Sequence, residues 1–203
     1  MAKAVGVDPA EVRLGLELGA RLRLLEDGRD GIRTSANFEE WRRTGPPARG
    51  ADLLGTWWTF TAGTTRERDE EGRALPALAG RHGTDNAPTV ALLGLVLKGT
   101  TDAGVVGLDP VLSRVRWIQP MARFDDDDLR RAWDEAQRFG VVVDGRLTRL
   151  GQAVQRVARD EVETLLTELL PEQSDEVLFG SDLTVIAPGT PGPAVIDLLD
   201  TVG

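Results

Sequence analysis

Arginine is the residue type in this chain with the widest chemical reach. Arg29, Arg33, Arg42 and Arg43 fall close together in sequence, and Arg146 and Arg149 form a second, smaller group. A guanidinium presents a planar fork of donors that matches phosphate oxygens. Basic residues on and just after a hairpin are therefore where a nucleic-acid-binding module would touch a phosphate backbone. The same residues also suit ordinary surface ion pairs with the many carboxylates around them. Both readings stand on sequence alone.

The other reactive residues do not assemble into a catalytic group. His82 is the single histidine, and no acid–base partner sits at a recognisable spacing from it. Cysteine is absent, which removes disulfides and thiolate metal sites. With no nucleophile–base pair and no metal-ligand cluster in the sequence, neither an enzyme nor a cofactor or metal is expected. Asp134-Glu135-Ala136-Gln137 and Asp175-Glu176-Val177-Leu178 imitate the acidic box that holds magnesium in ATP-driven helicases. That box needs a buried strand just before it, whereas the first string lies inside a helical pattern and the second follows polar residues 171–174. No phosphate loop of the form G-x-x-x-x-G-K-[ST] occurs, and Lys98 lacks the glycine spacing before it. The acidic run at residues 125–128 reads as a helix start, since a hard-cation loop would spread its ligands over alternate positions. Trp41, Trp117 and Trp133 occupy apolar positions of helical patterns, so they are expected in the core and not as platforms for bases.

These side chains must be positioned by elements, and the chain carries one pattern of elements twice. Residues 8–28 and 125–145 align at an offset of about 117. Val12 then falls on Leu129, Leu16 on Trp133, Leu22 on Phe139, Leu24-Leu25 on Val141-Val142, and Asp27-Gly28 on Asp144-Gly145. Each copy reads as an acidic helix start, a helix, apolar residues, a tight Asp-Gly turn, a short return through Ile32 or Leu147, and another helix. Helix, hairpin, helix is the outline of a winged helix. In the first copy Asp8-Pro9-Ala10-Glu11 combines a cap, a proline for the first helical position and a glutamate three residues past the cap. Those signals outweigh the strand-like alternation of Val12, Leu14, Leu16 and Leu18. Phe38 and Trp41 then mark a short helix ended by Gly45-Pro46-Pro47, and Leu53 to Phe60 a further one. In the second copy helices are expected over residues 89–97, from Asp109-Pro110 through Val111, Leu112, Val115 and Ile118, and over residues 127–138. That last helix, the candidate recognition helix, holds four acids against three arginines. Leu150, Val154 and Val157 give the next helix, residues 160–170 another, residues 177–187 one or two strands, and residues 193–199 a last helix.

The expected fold class is mainly α with short β-hairpins, in four parts. Residues 1–60 form a first winged-helix-like module, 61–87 a linker rich in Gly, Thr and charge, 88–170 a second module, and 171–203 the start of a truncated α+β domain. At 203 residues, 41% apolar and 28% charged, the chain is long enough for such cores and ordinary in composition. No apolar run approaches the roughly 18 residues that span a bilayer, and no signal peptide is visible. Together with the lack of cysteine, this points to the cytoplasm and to no membrane partner. The net charge of −9 is local. Residues 160–203 hold ten acids and no Lys or Arg, and the rest of the chain is +1. Neither part is the basic footprint of a strong stand-alone DNA binder.

Several strings together resemble one family: LRRAWDEAQRFGVV at 129–142, GRLTRLGQAV at 145–154, LLP at 169–171 and DEVLFGSDLTVIAPG at 175–189. It is the long actinobacterial helicase-associated proteins that carry a domain similar to the N-terminal region of XPB-type helicases. The most specific piece runs from Ser181 through Asp182-Leu183-Thr184 to Pro188-Gly189. AVGVDP at 4–9 and the spaced Trp41 and Trp57 are similar too, with 61–87 as the variable stretch. The resemblance implies that the chain is a fragment of a longer protein, whose XPB-like domain would continue past Gly203. It also implies a DNA-repair or helicase setting without a motor, and it carries over no catalytic residue. The expected function is a non-enzymatic helicase-associated module with weak, salt-dependent DNA contact. The alternative is a scaffold that docks a helicase or another protein without touching DNA.

Overall fold

Helix α1 (Pro9–Arg21) begins as its sequence dictates. The Asp8 side chain accepts from the Ala10 N–H at 3.1 Å, and Pro9 takes the first helical position, where its missing N–H costs nothing. The alternating apolar residues that follow are helical, not extended. In this computed structural model the described residues are 6–28, 31–60, 72–73, 78, 92, 94–96, 99, 107–118, 120–121, 126–182 and 184–202. The expected linker at 61–87 lies outside them except for residues 72–73 and 78. His82, Lys98, Asp125 and Arg29 also lie outside, and of the helix expected at 89–97 only residues 92 and 94–96 are described, all helical.

The described chain is mainly helical with short strand pairs. After α1 come β1 (Leu25–Gly28), β2 (Gly31–Thr34), α2 (Ala36–Arg43) and α3 (Pro46–Phe60). Helix α4 (Leu108–Ile118) precedes α5 (Asp126–Arg138), β3 (Val142–Val143), β4 (Arg146–Leu147), α6 (Arg149–Gln155) and α7 (Arg159–Leu169). The preceding helix ends before Gly45 as expected, and Pro46 and Pro47 open α3, because proline fits a helix's first turn.

The repeat is present as helix, hairpin, helix, helix, and its two copies share a specific joint. Arg23 in one copy and Gly140 in the other end the leading helix at positive φ (58° and 66°). The next residue, Leu24 or Val141, donates back to Gly19 or Ala136 (2.8 and 2.9 Å) and is buried. The hairpin follows, and a hydroxyl closes it. Ser35 Oγ donates to the Arg23 carbonyl at 2.6 Å, and Thr148 Oγ1 donates to the Gly140 carbonyl at 2.8 Å.

Between those joints the copies diverge. The first hairpin has four-residue strands and the second has two-residue strands. Asp27 and Gly28 are therefore strand residues paired with Ile32 and Gly31, and not the turn their alignment with Asp144-Gly145 suggests. In the second hairpin Asp144 and Gly145 do make the turn, both at positive φ (49° and 70°), as a two-residue I′ connection requires.

One contiguous cluster forms the core and draws on both copies. Its most extensive helix contact joins α3 to α7, the last helix of each copy. Trp57 of α3 is fully buried, packs on Phe139 with ring centroids 5.3 Å apart, and donates its indole N–H to Glu135 Oε2 of α5 at 2.8 Å. Glu17 of α1 is likewise buried and accepts from the Leu78 N–H at 2.6 Å. Three apolar positions expected on helical stripes are on the surface, Ile118 at the end of α4 among them. Trp117 is 83% exposed, because α4 turns Val111, Leu112 and Val115 inward and those positions exclude it. Val157 lies beyond the end of α6 at φ 55° and is exposed.

The final segment contains two nested strand pairs. β5 (Gln173–Ser174) runs parallel to β8 (Thr190–Pro191), and the antiparallel pair β6 (Leu178–Phe179) and β7 (Val185–Ile186) lies between them in sequence. The parallel pair was not legible in the sequence. Helix α8 (Pro193–Val202) closes the described chain and buries Val195.

Two outcomes follow for stability. Glu135→Ala leaves the buried indole N–H without its acceptor and should cost about 1–3 kcal/mol in urea unfolding, with Glu135→Gln costing less because an amide oxygen can still accept. Among glycines, a Cβ on Gly55 meets nothing, whereas one on Gly151 meets the Val141 carbonyl oxygen at 2.5 Å. Gly55→Ala should therefore stabilise by about 0.5–1 kcal/mol through helix propensity, and Gly151→Ala should destabilise in spite of the same gain.

Candidate functional site

The six candidate arginines separate into engaged and free groups. Arg29 lies outside the described residues. Arg33 stands on β2 directly across from Glu26 and pairs with it at 2.9 Å. Arg42 and Arg43 come together at the end of α2. Arg42 pairs with Glu39 at 3.0 Å, and both reach Asp197 of α8 (3.5 and 3.7 Å). These contacts join the acidic C-terminal segment to the first copy. Arg146 on β4 and Arg149 at the start of α6 are exposed and have no ion pair among the described residues.

Helix α5 corresponds to the candidate recognition helix expected from the sequence, and each of its arginines is held. Arg130 meets Asp109 at 3.6 Å, Arg131 meets Asp128 at 2.7 Å, and Arg138 meets Asp8 and Glu11 at 2.7 and 2.8 Å. Asp126 pairs with Arg116 of α4. The acidic helix start thus serves partly as a set of anchors for neighbouring arginines. The first helicase-like string lies inside α5, where Glu135 is the buried acceptor of Trp57. The second begins after β5 and has exposed carboxylates at Asp175 and Glu176.

The tryptophans follow the same division. Trp57, Trp58 and Trp133 are buried. Trp41 is half-buried, with the Arg49 guanidinium 5.7 Å above its ring and Phe38 6.2 Å away. Trp117 stands in solvent with Met121, itself 92% exposed. Sequence reasoning missed this pair, because the α4 pattern admits Trp117 to an apolar stripe one position wider than the buried one. It also missed a cavity of about 260 Å³ between the copies, lined by Ala51, Gly55, Thr56, Val154 and Val162, with the Asp52–Arg159 pair (3.0 Å) at its edge. The signal for Glu135 was available, since it stands between Ala132 and Phe139 on the otherwise apolar side of α5.

At the hairpin joining β6 and β7, Asp182 Oδ1 accepts from both the N–H and the hydroxyl of Thr184 (3.2 and 2.6 Å). Those bonds hold the Asp182 carboxyl below its ordinary value. The Asp-Leu-Thr string is thus a turn-forming device. Comparisons with known protein families, with curated proteins and with solved structures each find no match. No helix among the described residues is long and apolar enough to cross a membrane.

The Asp8–Arg138 pair ties the start of one copy's leading helix to the end of the other's. The hydrogen bond from Arg138 is the largest cause holding the Asp8 carboxyl below its ordinary value near 3.8. A carboxyl depressed in the folded state stabilises above its unfolded pKa, and that contribution fades as pH falls through the folded value. Acid titration of the unfolding midpoint should show wild-type protein losing stability below about pH 4. Asp8→Asn should lose less over the same interval, and equal losses would remove this pair as a cause.

Proposed function

We propose that this chain is a non-enzymatic docking module of helicase-associated type, whose two helix–hairpin copies act as winged-helix-like scaffolding for another polypeptide. One observation carries the reading. Each arginine of α5, the helix that would face a nucleic acid, is paired with a carboxylate of the same chain, while Trp117 and Met121 remain in solvent. An interface for phosphates needs the reverse arrangement. Bulky apolar side chains held in water suit a protein partner. The helicase setting rests on the resemblance of residues 129–189 described above.

A second reading, weak DNA contact by the shorter wing, is favoured by Arg146 and Arg149, which are exposed and have no ion pair among the described residues. Fluorescence anisotropy with forked and duplex DNA at low salt separates the two. Docking alone expects no saturation at about 10⁻⁴ M protein, the weak end of ordinary non-specific binding. Saturable binding that falls steeply with salt and is lost in an Arg146→Ala, Arg149→Ala double variant would establish the DNA reading instead. On the docking side, a tagged chain should retain a specific protein from an extract of its source. Trp117→Ser should release that protein without lowering the unfolding midpoint.

A further inference from the structure

We infer that the β6 edge of the C-terminal hairpin is a strand-addition site for an extended, Lys- or Arg-bearing segment of a partner protein. This rests on the docking reading and gives it a place and a chemistry. Among the described residues β6 and β7 form a sheet of only two strands, so each keeps an outer edge unpaired there. Leu178 is opposite Ile186 and Phe179 opposite Val185, and the Gly180 N–H donates to the Thr184 carbonyl at 2.8 Å. Antiparallel pairs alternate between bonded and non-bonded positions. Leu178 therefore faces β7 with its backbone groups, as Gly180 does, and Val177 and Phe179 direct theirs away from it. Neither has a hydrogen-bond partner among the described residues. No proline interrupts residues 172–187.

Side chains on this edge are those of an unfinished sheet. Leu178 and Ile186 stand exposed on one face, and Phe179, 66% exposed, stands on the other. A third strand would cover apolar surface on both faces and satisfy the outward N–H and C=O groups together. Charge selects the occupant. Asp175, Glu176 and Asp182 flank the edge, all exposed and without a cationic partner among the described residues. The whole of residues 160–203 contains no Lys or Arg. A second copy of this edge would bring like charges together, which is how natural edges avoid pairing with themselves. A nucleic acid would be repelled in the same way. A segment alternating basic and apolar residues meets both the charge and the pleat.

The test uses the full chain, isotope-labelled, with three synthetic peptides: one alternating Lys and Val, one of equal charge built from Lys and Ala that favours helix, and one alternating Glu and Val. The Lys–Val peptide should bind, and should slow amide exchange at Val177 and Phe179. Val177→Pro removes one outward N–H while leaving the bonds between β6 and β7, and should weaken that binding about tenfold. Asp175→Asn with Glu176→Gln should weaken it further at low salt and little at raised salt. Equal binding of the helical peptide, binding of the Glu–Val peptide, or indifference to Val177→Pro would each overturn strand addition. So would a dimer that Val177→Pro dissociates. If an extract protein is retained by Val177→Pro and released by Trp117→Ser, this site falls while the docking reading stands. If nothing is retained by wild-type protein, the docking reading falls first.

Discussion

The hydrogen bond from the Trp57 indole to Glu135 is the constraint on which the arrangement of the two copies depends. An indole N–H and a carboxyl oxygen are both expensive to bury alone, and each removes the other's need for water. The bond is directional, so it fixes more than burial does. Leu, Val and Ala faces can slide past each other at little cost, but a 2.8 Å bond inside the core holds α3 and α5 at one rotation and one register. Phe139 packs on the same ring, and α3 carries this alignment to α7. The polar pair thereby sets the geometry of an otherwise apolar interface.

Around that interface the sequence repeat survives as a joint more than as a uniform alignment. What recurs is a helix ended in the left-handed region, a buried apolar residue just after it, and a Ser or Thr hydroxyl that returns to the carbonyl at the helix end. The carbonyl so bonded is one that the end of a helix leaves without a partner. The hydroxyl satisfies it and also draws the far end of the hairpin back to the helix. Hairpin length is free under this constraint, which explains why one copy has longer strands than the other while both close on the same bond.

The sequence revealed the parts governed by local chemistry. The Asp8-Pro9 start, the Asp144-Gly145 turn, the helix before Pro171 and the β6–β7 strands each follow from residues within a few positions of one another. It misled where a choice depended on distant partners. Asp27-Gly28 has the composition of a turn, but the joint made by Arg23 and Ser35 leaves room for longer strands, so both residues pair within the sheet. Trp117 has the periodicity of a core residue, but the inward positions are taken by Val111, Leu112 and Val115. The parallel β5–β8 pair joins two short segments that carry no strand pattern of their own.

The arginines make the same point for function. Their positions in sequence cannot show which are free, because the carboxylates that hold them come from elsewhere. Arg42 finds Asp197 across 155 positions, and Arg138 finds Asp8 across 130. Surface pairs of this kind contribute little to stability, so their consequence is chiefly electrostatic. They offset the charge of the α2 and α5 arginines at close range, leaving Arg146 and Arg149 as the candidates without an ion pair among the described residues. In the C-terminal segment Asp197 is ion-paired, whereas Asp175, Glu176 and Asp182 have no cationic partner among the described residues, so uncompensated negative charge lies beside the β6–β7 sheet. The molecule therefore presents positive charge at the shorter hairpin and negative charge beside exposed apolar strands. A polyanion and a basic polypeptide would be drawn to different surfaces of it.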